Sequence, residues 1–194
     1  HPRKIICAGE GGAILTNNSL LSSELETKLA HGASRNEDGT LDFVAFGYNF
    51  RMSEIQAALA NAQLQKLEFI IKNRQNIYQH YCKSLIPLGF VPQKISDEVR
   101  YNVQSACFIV PADCDRDELI KTLKSHNIDS SIGTYSLSST TYYKQKYNDV
   151  QQNANFLEKN TITLPCFEGV DVQRVVDLVE SFCTEIKLEK KIGY

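Results

Sequence analysis

The chain has 194 residues, 42% of them hydrophobic and 23% charged, a balance that supports a globular protein with a buried core. Its 23 acidic residues against 21 Lys and Arg leave a formal net charge of -2, which gives neither nucleic acid nor an anionic membrane a reason to bind. No apolar run reaches bilayer-spanning length and no signal-peptide pattern opens the chain, so a cytoplasmic location is expected.

In chain order, three sections separate by pattern: residues 1–52, 53–89 and 90–194. The first opens without Met, directly into a glycine-punctuated apolar segment, and reads as the start of a fragment. Short apolar pieces around Ile5 and Ile14 flank Gly9, Gly11 and Gly12, which predicts two short strands joined by a tight turn. A phosphate loop would need G-x-x-x-x-G-K-[ST] or a following helix, and neither is present. A short helix is expected from Ser22 or Ser23 to Ala30, terminated by Gly32, and residues 34–46 read as a loop.

The second section reads as one long helix. Ser53 and Gln56 match a capping box, and Ile55, Leu59, Ala62, Leu64, Leu67 and Ile71 recur near the helical period. Ile77, Tyr78, Tyr81 and Leu85 continue the apolar face until Pro87 and Gly89. A continuous helix of about 33 residues would be about 50 Å long and would connect two domains. The third section alternates strand and helix: strands at Ser105–Val110, Ile128–Tyr135 and Thr161–Leu164, and a helix capped by Asp115 that reaches Ser125 before Asn127. A last helix buries Val172, Val175, Val176, Val179 and Phe182, giving a small α+β domain with helices on one face of a sheet. Cys7, Cys82, Cys107, Cys114, Cys166 and Cys183 show no C-x-x-C spacing, so a zinc site is not expected and all six are read as reduced.

Lys4 taken alone says nothing, since an isolated lysine is ordinarily a solvated surface residue. The string around it, HPRKIICAGEGGAILTN, resembles the lysine segment of the DegT/DnrJ-type sugar aminotransferases, with Ala8 in place of a usual Thr. GYNFRMSEIQAALANAQLQKLE, Gly47 to Glu68, resembles a second segment of that family almost residue for residue. GTYSLSSTTYYKQKY, from Gly133, is a weaker match, with Ser138 where many members carry His and Thr141 in place of a Pro. TLPCFEGVDVQRVVDLVESF resembles the family's final strand and helix.

The resemblance implies an α/β fold, the C-terminal part of a PLP-dependent transferase. Residues 1–52 would end the large cofactor domain, 53–89 would link, and 90–194 would form the small domain. It implies pyridoxal 5'-phosphate (PLP) held by the amine of Lys4, which also moves the substrate proton and must therefore be able to be neutral near pH 7. Asn49 would reach the cofactor phosphate of the neighbouring subunit in a homodimer whose active site is shared. Arg51 would meet substrate or cofactor anions through its forked guanidinium. Gly47 and Tyr48 would shape that loop, Tyr135 and Ser138 would line the sugar pocket, and His31 fits a structural or a functional role. The implied substrates are a nucleotide-sugar and an amino-acid donor, glutamate expected, in a ping-pong reaction. Lys4 argues against the family's dehydratases, which carry His there. The Asp facing the pyridine nitrogen, the stacking aromatic and the Ser before H-P-x-K do not occur in these 194 residues, which are expected to be inactive alone. The alternative is a non-catalytic, degenerate paralogue acting in assembly or sensing.

Overall fold

The computed structural model describes residues 4–192, so His1–Arg3 of the lysine string lie outside the described residues. The chain divides into two compact units, one ending at Leu67 and one beginning at Glu68. That division falls inside the segment predicted as one continuous helix.

In the first unit, residues 4–18 form no strand, contrary to the two predicted around Ile5 and Ile14. A strand needs a hydrogen-bonding neighbour, and a two-stranded hairpin is marginal even with one. Gly9 lies at φ 84° and Gly11 at φ 155°, so the segment turns between the two apolar pieces. Helix α1 spans Ser19–Leu29, earlier than predicted, because Asn18 caps it by accepting the Leu21 N–H at 3.1 Å. Residues read as a loop hold an antiparallel pair, β1 (Ala33–Arg35) and β2 (Leu41–Phe43). The Asp38–Gly39 dipeptide at its turn, with Gly39 at φ 82°, was the available signal for this hairpin. Helix α2 runs Glu54–Leu64 behind the expected Ser53–Gln56 capping box.

The predicted long helix is two helices. After α2 the Lys66 N–H bonds the Gln63 carbonyl at 3.1 Å, a tightened three-residue turn, and α3 restarts at Leu67 and runs to Leu85. No Gly or Pro marks this break. Ile55, Leu59 and Leu64, expected on a buried face, are exposed. Ile71, Ile77, Tyr78, Tyr81 and Leu85 of α3 are buried as expected. A 3-10 turn at Ile86–Leu88 and Gly89 at φ 98° then end the helix.

The second unit is built on a four-stranded antiparallel sheet in the order β3-β4-β6-β5. Its strands are β3 (Val91–Pro92), β4 (Ala106–Ile109), β5 (Ser131–Ile132) and β6 (Thr161–Leu164). Pairing sets Ala106 opposite Leu164 and Phe108 opposite Ile162, so these four share one face. Against that face pack α3, α4 (Arg116–Ser125) and α7 (Val172–Ile192), through Tyr78, Tyr81, Leu119, Leu123, Val175, Val176 and Val179. Asp115 caps α4 through the Asp117 and Glu118 N–H groups, and Asn127 adopts φ 60°, both as predicted. Two helices not expected, α5 (Thr141–Tyr147) and α6 (Gln152–Asn160), fill the stretch before β6. Among the described residues, no helix is long and apolar enough to cross a membrane.

Candidate active-site segments

In the first unit, two glycines fix the backbone that carries Asn49 and Arg51. Gly32 lies at φ 79°, and a Cβ there would meet the Ala45 carbonyl oxygen at 1.6 Å. A Cβ on Gly47 would meet the Gly32 nitrogen at 2.2 Å. The two segments cross at a distance only glycine permits. Beyond the crossing, the Tyr48 N–H donates to the Lys28 carbonyl (2.8 Å), the His31 N–H to Tyr48 (2.9 Å) and the Phe50 N–H to Leu29 (3.1 Å). Residues 48–50 are thereby pinned to the end of α1. His31, at φ 65°, takes part through its backbone.

The stacked rings of Tyr48 and Phe50, 4.8 Å apart, mark one side of this segment. Between them in sequence stands Asn49, whose Oδ1 accepts from Arg51 Nε at 3.3 Å. That use of Oδ1 leaves the Asn49 NH2 as a donor, alongside the terminal nitrogens of Arg51. Both residues are exposed. Arg51 also lines a cleft of about 890 Å³ with Gly11, Gly12, Glu26, Phe50 and Gln56, while Lys4 and Asn49 are not in its lining.

The lysine segment is tied to the same unit by a residue that sequence reasoning assigned only to capping. Gln56 accepts the Ser53 N–H through Oε1 (3.3 Å) and donates through Nε2 to the Glu10 carbonyl at 3.0 Å. A Cβ on Gly11 would sit 2.8 Å from the Met52 methyl, so the glycine turn lies directly on the R-M-S-E segment. No sequence signal identifies Gln56 as this clasp, because the contact spans 46 residues. Lys4 itself is exposed, and the burial expected for its amine is not supplied by the described residues.

Tyr135 and Ser138 belong to the second unit. Gly133 lies so close across the sheet that a Cβ would meet Thr161 Oγ1 at 2.3 Å and Cys107 Sγ at 2.5 Å, which explains the glycine opening G-T-Y. Tyr135 is 70% exposed. Ser138 Oγ is hydrogen-bonded to Ser136 Oγ (3.0 Å) and accepts the Gln151 N–H (3.3 Å), joining the 3-10 turn at Leu137–Ser139 to the start of α6. Thr141 is the first residue of α5, the helical position that proline tolerates best.

The profile of the DegT/DnrJ/EryC1/StrS aminotransferase family matches residues 1–182. The chain belongs to this family. Among curated aminotransferases it is 26% identical over 194 aligned positions to the UDP-4-amino-4,6-dideoxy-N-acetyl-beta-L-altrosamine transaminase of Campylobacter jejuni, covering 96% of this chain and 52% of that protein. Among solved structures it superposes on Helicobacter pylori PseC, an aminotransferase involved in the biosynthesis of pseudoaminic acid. The TM-score is 0.77 at 20% identity, covering 87% of this chain and 48% of that one. It also superposes on the PLP form of Spr1654 from Streptococcus pneumoniae with a TM-score of 0.76 at 21% identity, covering 91% and 46%. The fold is therefore that of the sugar aminotransferases, and this chain spans about half the length of the relatives it matches.

The residues present fit a PLP-type group in kind. Lys4 offers an amine to an aldehyde, and Asn49 and Arg51 offer exposed N–H donors to a phosphate.

Proposed function

We propose that the whole protein transfers an amino group from an amino acid, with glutamate as donor, to a keto group of a nucleotide-linked deoxysugar. The observation that carries this reading is the aminotransferase family match over residues 1–182, which takes in both the Lys4 segment and the Gly47–Glu68 segment. The curated relative named for a transamination on a UDP-sugar supports a nucleotide-sugar as the substrate class.

PLP, when bound, supplies the electron sink that stabilises negative charge on the substrate carbon. The roles of this chain's residues are those the family resemblance implies. Lys4 Nζ would hold the cofactor through its aldehyde, and as a free amine would take and return the proton at the reacting carbon. The Asn49 NH2 donates to the phosphate without adding charge. Arg51 presents two parallel N–H groups to a phosphate or carboxylate. Asn49 and Arg51 act in the active site of a second subunit, so the working unit is a homodimer, placed in the cytoplasm. Tyr135 borders the sugar, and Ser138 sets the path of that border through its bonds to Ser136 and Gln151. The 194 residues alone do not turn over, because the groups that hold the pyridine ring are supplied by other parts of the protein.

The test is borohydride reduction of the full-length protein incubated with PLP, followed by peptide mass mapping. A pyridoxyl adduct on Lys4 is expected, and Lys4→Ala is expected to lower transamination by about 10²–10⁴-fold. An unmodified Lys4 in folded full-length protein would overturn the reading in favour of a non-catalytic paralogue in assembly or sensing.

A further inference from the structure

Six cysteines are distributed over the chain, and none is joined in a disulfide. Four of them meet other groups or lie elsewhere in the chain. Cys7 lies in the first unit, Cys82 faces the Tyr78 hydroxyl, and Cys107 faces the hydroxyls of Thr161 and Thr163. Cys166 donates to the Arg74 carbonyl at 3.7 Å. The remaining two meet each other.

Cys114 sits in the turn before α4, where its N–H donates to the Pro111 carbonyl at 3.0 Å, immediately ahead of the capping residue Asp115. Cys183 lies on α7 and is 6% exposed. Both line one small cleft with Leu88, Pro111, Asp113 and Ile186, which brings the two thiols to one place. Two thiols on one small cleft, carried by segments far apart in sequence, can bond covalently where their Cβ atoms approach to about 4 Å.

We propose that Cys114 and Cys183 form a reversible disulfide that locks the start of α4 to α7 under oxidising conditions. The oxidant is a low-molecular-weight disulfide. Cys114, the more accessible sulfur, loses its proton to solvent and attacks the oxidant, forming a mixed disulfide and expelling one thiolate. Cys183, deprotonated in turn, attacks Cys114 Sγ and expels the second. Two protein thiols become one disulfide, and the oxidant is reduced to two thiols. The bond closes a loop of roughly 70 residues, which restricts the unfolded chain and stabilises the second unit.

The neighbouring Cys183 thiol, burial, and the nearby Asp113 and Asp115 carboxylates push the Cys114 thiol well above the ordinary range. Little thiolate is present at neutral pH, so the lock closes under sustained oxidation and is not a fast sensor.

The experiment incubates the reduced, full-length protein with oxidised glutathione at mildly alkaline pH, alkylates remaining thiols and maps peptides without reduction. A Cys114–Cys183 linked peptide is expected, with Cys82, Cys107 and Cys166 alkylated. Tm is expected to rise by several degrees, reversed by dithiothreitol. Cys183→Ser is expected to stop at glutathionylated Cys114 with no rise in Tm. Should that core variant fail to fold, the half-buried Cys114→Ser must abolish the cross-link and leave Cys183 alkylated. Alkylation of both cysteines in folded, oxidised protein, or pairing of either with another cysteine of this chain, would overturn the proposal. The result is independent of whether Lys4 binds PLP.

Discussion

Gly47 and Thr141 show two ways in which a single position answers to its backbone. At Gly47 any Cβ collides with the Gly32 nitrogen and the Lys28 carbonyl, neither of which can swing away as a side chain would. Gly47→Ala should therefore destabilise the full-length protein by about 1–3 kcal/mol, read as a lower urea midpoint. A wild-type midpoint would show that the crossing of residues 32 and 47 relaxes freely. Thr141 departs from the family's Pro, yet its place at the first position of α5 needs no N–H, and Thr140 already holds an extended conformation (φ -77°, ψ 150°) that a following proline favours. Thr141→Pro should stabilise by about 0.4–1 kcal/mol through the unfolded chain. A fall in Tm would mean that the Thr141 side chain contributes something beyond helix initiation. Both glycine-containing motifs were legible as family signatures, but the reason for each glycine is a contact between distant residues.

At the scale of elements, α3 differs from α2 in what it can bury. Its face of Ile77, Tyr78, Tyr81 and Leu85 meets Phe108 of β4, with the Tyr78 and Phe108 ring centroids 5.4 Å apart. On α2 the comparable apolar residues face outward, and the same periodicity was read as one helix because period alone does not say what lies opposite. A polar clamp also fixes α3 to the sheet. Arg74 donates from Nε to the Val103 carbonyl (2.7 Å) and from Nη2 to the Gln104 carbonyl (2.9 Å), while Gln75 donates to Tyr101 (2.7 Å). Val103 is fully buried at φ 52°, a strained conformation for a β-branched residue. The clamp is what holds it there. Arg74→Met keeps the packing stem and removes the donors, and should cost about 1.5–3 kcal/mol. A denaturation midpoint unchanged by that substitution would show the loop to be held by Val103 packing alone.

At the scale of the whole molecule, every buried apolar side chain among the described residues lies at or beyond Ile71, while Ile14, Leu15, Leu20, Phe43, Phe46 and Phe50 are exposed. The first unit is shaped by glycine crossings, caps and backbone bonds; the second by a core. That core sets a pH dependence. Burial raises the pKa of Tyr78, Tyr81, Tyr101, Cys82, Cys107 and Cys166 above their ordinary values. The folded state keeps these protons at a pH where the unfolded chain releases them, so their contribution is complete below the ordinary thiol value of 9.0 and is lost as pH rises beyond it. The urea midpoint should fall between pH 8 and pH 10.5, and a flat profile across that range would contradict the burial of these groups. The sequence by itself determined the family, the lysine and Asn49–Arg51 segments, the caps at Ser53 and Asp115, and the buried face of α3. These depend on residue identity at short spacing, where local geometry and side-chain chemistry suffice. Only the tertiary structure decided that residues 4–18 form no strand, that the long helix breaks after Leu64, that Gln56 clasps Glu10 and that Cys114 shares a cleft with Cys183. Each of these depends on what a segment finds opposite it, and residues tens of positions away in the chain supply that.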